Sequence, residues 1–352
     1  MTPLLELRDV TLSYRQPAAP LDRVTRRQTP VLRALDGVSV RVEPGTTLGL
    51  VGESASGKST LARTAVGLAQ PDSGAVLIDG EPVNGARDRT LRRRVQMVFQ
   101  DPGGSLNPAL TVEAALTEPM LAHRMGSKAE LARRSRELVE LVELPSSVLS
   151  LRPRQMSGGQ RQRVAIARAL ALEPDLLIAD EAVSALDVSV QAAVLNLLRS
   201  LQRELGLTML FIAHDLAVVR QVCDRIAVMY LGSIVEEGPA DVLLASPQHP
   251  YTAVLMAAVP RLERSGSPAP RVDAGEAPSP LEVPSGCRFH PRCPIADPER
   301  CPHDDPALRT HGNRAAACHF AWQGQLQSWV NRARSESIVH DKQHEEDQHD
   351  DG

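Results

Sequence analysis

The sequence predicts an α/β fold, on three observations. Short apolar runs that read as buried strands recur at residues 48–51, 95–100, 176–181 and 208–213, with helical patterns between them. The first of these runs straight into Gly52-Glu53-Ser54-Ala55-Ser56-Gly57-Lys58-Ser59-Thr60, which fits the spacing G-x-x-x-x-G-K-S/T. A helix opens directly after it, at residues 61–66. In that context the glycines let the backbone turn tightly, so that successive N–H groups converge on phosphate oxygens. The helix N-terminus adds its partial positive charge. Lys58 then reaches β- and γ-phosphates, and the Ser59 hydroxyl takes a place on Mg²⁺.

Bulk properties narrow the setting. A chain of 352 residues holds one large domain plus a smaller one. Aromatic residues make up only 3%, so aliphatic side chains fill the core. No apolar run is long enough to cross a bilayer, and residues 1–6 lack the basic and apolar blocks of a secretion signal. The expected place is the cytoplasm or the cytoplasmic face of a membrane. Net charge is −4, but the stretch from Glu336 to the end carries seven acids and one lysine, so the remainder stands at +2. Nothing in that balance calls for nucleic acid as a partner.

Taken in order, residues 5–14 alternate apolar and polar and read as a strand ending at Tyr14, whose ring can stack on a base or pack on the fold. Residues 15–30, rich in Pro and Arg, read as a surface loop, and residues 38–42 as a further strand before the phosphate loop. A turn at residues 71–74 precedes a short strand at 75–78. The strand at 95–100 ends on Gln100, whose amide oxygen can ligate Mg²⁺ and which can swing away because it borders a loop. From Thr111 to about Leu149 the pattern turns helical, with Leu131, Arg134, Leu138, Leu141 and Leu144 recurring near every 3.5 residues. It ends at Ser157-Gly158-Gly159-Gln160, ahead of an arginine-rich helix at 161–170. That helix start reads either as a second anion site or as an ordinary cap.

The strand at 176–181 ends in Asp180-Glu181. Two acids at the end of a buried strand are costly unless they meet a cation. Asp180 would hold Mg²⁺ and Glu181 would polarise the attacking water. Ser184-Ala185-Leu186-Asp187 and a helix at 188–205 follow, then a strand at 208–213 that ends on His214, read as a γ-phosphate contact.

The ordered set Tyr14, the loop 52–60, Gln100, Ser157-Gly158-Gly159-Gln160, Asp180-Glu181, Ser184 to Asp187 and His214 resembles the ATP-binding subunit of an ABC transporter, over residues 4 to about 245. Val98-Phe99-Gln100-Asp101-Pro102, Ser105-Leu106-Asn107-Pro108 and Ser246-Pro247-Gln248-His249-Pro250-Tyr251-Thr252 resemble the ATPases of dipeptide and oligopeptide importers, a subfamily shared with nickel importers. The resemblance implies a P-loop NTPase cassette at 1–258, with a RecA-like core, an antiparallel β subdomain and a helical subdomain at about 101–160. It implies ATP and Mg²⁺, and a second cassette, either a copy or a sister chain, whose Ser157-Gly158-Gly159-Gln160 counterpart closes over this chain's phosphate loop. Asp187 joins the nucleotide contacts. Two membrane permease subunits and, indirectly, an extracytoplasmic solute-binding protein complete the assembly, with the ATPase peripheral on the cytoplasmic face of the plasma membrane. The solute would be a short peptide; nickel or another small solute is the alternative, a soluble nucleic-acid or ribosome protein a more remote one. A small-molecule kinase with the same phosphate loop is disfavoured by the Ser157 segment and His214. Three departures from the family pattern stand out: Ala55 where glycine is usual, Met156 where leucine is usual, and Ala182-Val183 where Pro-Thr is usual.

A Pro-rich linker is expected at 259–285, a Cys-rich region at 286–325 and a disordered acidic tail at 336–352. Cys287, Cys293, Cys301 and Cys318 are separated by five, seven and sixteen intervening residues, without the tight pair of a zinc knuckle. Clustered cysteines in a cytoplasmic protein favour metal over disulfide. The resemblance puts a 4Fe–4S cluster ahead of Zn²⁺ there, in a structural role. Cys223 reads as a plain buried thiol.

Overall fold

The computed structural model describes residues 2–15, 31–83, 89–100, 102–184, 186–257 and 278–331. The loop expected up to residue 30, Asp101, Ala185, most of the linker at 259–285 and the tail at 336–352 lie outside them. The strands are β1 (Leu5–Arg15), β2 (Val31–Val42), β3 (Thr47–Val51), β4 (Ser73–Ile78), β5 (Glu81–Pro82), β6 (Val95–Val98), β7 (Leu176–Asp180), β8 (Thr208–Ala213), β9 (Arg225–Tyr230), β10 (Ser233–Pro239), β11 (Arg309–His311) and β12 (Arg314–Ala316).

Two sheets form among the described residues. The smaller has the order β2-β1-β4-β5 and is antiparallel. The larger has the order β11-β12-β10-β9-β3-β8-β7-β6. Its stretch β9-β3-β8-β7-β6 is parallel, and β10, β12 and β11 continue it antiparallel. Parallel strands are covered on both faces, and β3, β7 and β8 are accordingly buried at every position. Alternate residues feed two cores. Leu48, Leu50, Ile178 and Ile212 pack towards the antiparallel sheet, while Val51, Leu177, Ala179 and Phe211 pack towards the helices.

The helical stretch expected over 111–149 divides in two, Val112–Ala122 and Lys128–Leu141. Ser127 and Glu130 form a capping box that starts the second helix. Glu143, at φ 55°, turns the chain out of it, so Leu144 packs beyond the helix rather than on it. The same capping chemistry moves a second boundary. Ser157 caps a helix that begins at Gly158, three residues earlier than the apolar pattern alone suggests. The strand expected to reach Gln100 stops at Val98, and the one expected to reach Glu181 stops at Asp180.

Residues 278–331 extend the main sheet. β12 pairs with β10, Glu236 opposite Ala316. Glu236 is fully buried, and accepts bonds from the backbone N–H groups of Gln248 (2.8 Å) and His249 (2.9 Å) and from Arg314 (3.3 Å). Cys287, Phe289 and Cys301 join the core on the helical side of the sheet. Among the described residues no helix is long and apolar enough to cross a membrane.

The strand that feeds the phosphate loop is pressed against the helix Leu216–Val222. A Cβ at Gly49 would stand 2.2 Å from Val219 Cγ1 and 2.9 Å from Cys223 Sγ. Gly49→Ala is therefore expected to lower stability by about 1–3 kcal/mol, the usual cost of overpacking a filled core, as read by denaturant unfolding.

Candidate functional site

Parallel order brings four strand ends to one edge. β3, β8, β7 and β6 are consecutive neighbours, so the residues that follow each of them emerge side by side. These are the phosphate loop after β3, His214 after β8, Asp180 and Glu181 at the end of β7, and Gln100 just past β6. Ligands of parallel α/β sheets bind at such carboxyl ends.

The phosphate loop is held in a compact form. The Lys58 ammonium donates to the carbonyl oxygens of Gly52 (2.7 Å) and Glu53 (2.8 Å) and lies 3.5 Å from Ser56 Oγ. It is buried, and burial lowers its pKa against the opposing pull of Glu181, Asp180 and Glu53. Gly52 and Gly57 take φ of 159° and 110°; a Cβ at Gly57 would lie 2.3 Å from the Ala34 carbonyl oxygen. Ala55 also stands in the left-handed region, at φ 61°. The loop keeps its turn at this departure, and the alanine carries the strain.

The Ser59 hydroxyl donates to Asp180 Oδ1 at 3.2 Å. Burial raises the Asp180 carboxyl, an effect the Ser59 bond partly offsets and the neighbouring Glu181 charge reinforces. A hydroxyl and a buried carboxylate at this separation are hard oxygen donors of the kind Mg²⁺ takes, so this pair fits the expected ion. Glu181 sits just beyond the strand at φ 46°, an angle rarely adopted without glycine. Its carboxylate accepts a 2.7 Å bond from the Gln100 amide. Gln100 thus faces Glu181 through its nitrogen.

The remaining expected residues fall differently. Tyr14 is exposed at the end of β1, beside Leu32 of β2. His214 is exposed directly after β8. Ser157 and Gln160 close a capping box on each other, Gln160 N–H to Ser157 Oγ at 3.2 Å and Ser157 N–H to Gln160 Oε1 at 3.0 Å. Gly159 lets Val190 approach, since a Cβ there would lie 2.5 Å from Val190 Cγ1. Asp187, read as a nucleotide contact, caps the helix Val188–Leu205 by accepting from the Val190 N–H (2.9 Å) and the Ser189 hydroxyl (2.8 Å). The Val190 bond, followed by the Ser189 bond, holds its carboxyl below the ordinary value.

The cysteines give a mixed result. Burial pushes the Cys293 thiol up to about 12 and the Cys318 thiol up to about 11, and raises Cys287 as well. Cys293 feels the charges of the other three. Backbone N–H groups point at Cys301 Sγ (3.4 Å) and Cys318 Sγ (3.5 Å). The donor chemistry suits a metal, but the grouping does not: among the described residues no three His, Cys, Asp or Glu side chains come together as a metal site. The expected 4Fe–4S cluster or zinc thus gains no ligand set from the structure. Cys287, Cys293 and Cys301 instead pack with the main core as small apolar groups. Cys223 is a buried thiol, as expected, its pKa raised by burial.

One partner of the loop carries no sequence signal. The Arg292 guanidinium grips the Glu53 carboxylate with two 2.9 Å bonds across 239 residues of chain, and the Glu53 N–H donates to the Tyr251 hydroxyl at 2.7 Å.

A phosphate loop, a buried carboxylate beside its Ser and a second carboxylate past the same strand define a nucleoside-triphosphate-hydrolysing α/β protein. Comparison with known proteins makes this particular. Residues 35–184 match the family described as ABC transporter, and residues 235–301 match that described as the oligopeptide/dipeptide transporter C-terminal region. A Sinorhizobium fredii protein named as a probable peptide ABC transporter ATP-binding protein is 51% identical over 298 residues, which is 84% of each chain. A Brucella abortus protein whose name describes peptide import ATP-binding is 51% identical over 82% of this chain and 87% of its own. Among solved structures, the dimeric ATP-binding cassette MJ0796 bound to ADP and Pi shares 31% identity at a TM-score of 0.58, covering 67% of this chain and 98% of its own. The cbiO1 protein of Clostridium perfringens, part of the cbiONQ ABC transporter complex, shares 27% at 0.59, covering 70% and 92%. The chain belongs to the ABC transporter ATP-binding proteins, has their cassette fold and is an ATPase.

The strained alanine yields a test. Ala55→Gly removes the left-handed penalty and is expected to raise stability by about 0.5–1 kcal/mol in thermal or denaturant unfolding, because glycine takes this φ at no steric cost.

Proposed function

We propose that this chain is the ATP-hydrolysing subunit of a membrane importer of dipeptides and oligopeptides. One observation carries the reading: a single chain holds both the transporter ATPase region and the region matched to oligopeptide/dipeptide transporters, and relatives half identical along most of their length bear peptide-import names. In this reading ATP enters at the shared edge of β3, β8, β7 and β6. Lys58 leaves the Gly52 and Glu53 carbonyl oxygens for the phosphates. Ser59, Asp180 and the Gln100 oxygen would hold Mg²⁺, which supplies charge neutralisation at the phosphate oxygens. Glu181 accepts the proton of the attacking water, with the Gln100 amide fixing its carboxylate.

The Ser157–Gln160 helix start serves the nucleotide of a second cassette, either a copy or a sister chain. The dimeric state of the cassette MJ0796 supports that arrangement. Two permease subunits receive the motion through residues 101–150, and a solute-binding protein outside the cell delivers the peptide. The ATPase itself rides on the cytoplasmic face of the membrane. A metal at Cys287, Cys293, Cys301 and Cys318 is a separate matter, suggested by the four-cysteine pattern of the sequence alone. Iron, sulfide and zinc assays on anaerobically purified protein decide it.

Glu181→Gln is expected to keep ATP binding, to slow hydrolysis by roughly 10²–10⁴-fold, the range for loss of a general base, and to accumulate closed dimers with ATP on a sizing column. Hydrolysis near the native rate would mean that Glu181 is not the base.

A further inference from the structure

Glu53 poses an electrostatic problem. It is the second residue of a loop whose task is to receive a polyanion, and it carries a negative charge. Its carbonyl oxygen already holds Lys58. A carboxylate there opposes the incoming phosphates unless something cancels it.

The structure cancels it from the far end of the chain. Arg292 presents both terminal nitrogens to the two Glu53 carboxylate oxygens, each at 2.9 Å. The Arg292 side chain is 8% exposed and that of Glu53 28%, so the pair is partly shielded from solvent. The guanidinium is packed over two rings, 5.9 Å from the Tyr230 centroid and 5.6 Å from that of Phe289, and lies 3.4 Å from the Tyr230 hydroxyl. Those rings stand against Tyr251, at 4.5 Å from Tyr230 and 5.4 Å from Phe289. Tyr251 in turn accepts the Glu53 N–H. Burial keeps the Tyr251 hydroxyl protonated. Its proton thus stays in place while the oxygen accepts. The end of β9, the helix Pro250–Ala257 and the turn His290–Arg292 therefore build one aromatic cradle, and what it delivers to the phosphate loop is a single oriented cation.

We infer that Arg292 is a positioning residue for ATP binding: it neutralises Glu53 and fixes the first turn of the phosphate loop, so that residues 278–331 set the affinity of a nucleotide site at the other end of the sequence. The inference rests on the reading of 52–60 as the phosphate site. It deepens that reading by assigning the C-terminal segment a part in nucleotide affinity. Because Arg292 acts on the loop before and during hydrolysis alike, its removal weakens binding without slowing the chemical step.

The test is a double-substitution cycle on the full chain, with dissociation constants for ATP from equilibrium titration and KM and kcat from steady-state hydrolysis. Arg292→Met is expected to raise Kd and KM about tenfold and to leave kcat within about twofold. The same substitution made in a Glu53→Gln chain is expected to change Kd by less than about twofold, since no charge remains to cancel. An equal loss in both backgrounds, or a fall in kcat with KM unchanged, would mean that Arg292 supports the fold only, and would overturn the proposal. Lys58→Ala separates the two readings. Lost ATP binding there keeps the loop as the site and leaves the cycle to decide about Arg292; native binding there overturns the site assignment and the proposal with it.

Discussion

The molecule turns on two buried charges at the mouth of one parallel sheet. Lys58 and Asp180 are 4% and 6% exposed, on elements that leave adjacent regions of the sheet. Removing either charge from water is costly. The fold meets the cost with oxygens and hydroxyls rather than by joining the two directly: Lys58 bonds loop carbonyls, and Asp180 takes the Ser59 hydroxyl. Burial still displaces both pKa values, the lysine's lowered and the aspartate's raised, the latter in spite of the Ser59 bond. A triphosphate with its cation brings the opposite charge that each lacks. Binding is thereby built into the fold as the relief of two desolvation costs.

That arrangement is possible only because of strand order. β3 lies between β9 and β8, and β7 follows β8, so the loop after β3 and the acids after β7 are separated by the width of one strand. The helix that begins at Lys58 then carries Ser59 across to Asp180. Gly49 allows the helix Leu216–Val222 to press close enough to seal the opposite face. The local strain at Ala55 and Glu181, both at positive φ, sits at this same mouth, where the surrounding sheet over-determines the backbone.

Most of this edge was legible in the sequence, because each part of it is local. An apolar run followed by glycines, lysine and serine declares its own geometry, and so does an apolar run closed by two acids. The helix Val188–Leu205 and the strand Thr208–Ala213 fall where the apolar pattern puts them. Boundaries went astray where side chains rather than hydrophobicity decide them, as at the Ser157–Gln160 box and at Glu143. Roles were harder than places. Asp187 has the spacing of a nucleotide contact, and the structure adds only that its carboxylate caps a helix. The four cysteines have the look of a ligand set, yet among the described residues no three such side chains come together as a metal site.

What the sequence could not reveal is the reach of the C-terminal segment, and the reason is physical. The pairing of β12 with β10, the burial of Glu236 under Arg314 and the grip of Arg292 on Glu53 are all contacts between residues distant in the chain, and no spacing encodes them. Each needs the sheet to exist first. β12 lies on the edge that β10 offers, and Phe289 packs on the wall that the Tyr230–Tyr251 pair makes. The dependence then runs back the other way. Once docked, the segment returns a cation to the phosphate loop and a strand to the sheet. The last part of the described chain is thus tied to the phosphate loop through Arg292 and to the main sheet through β12.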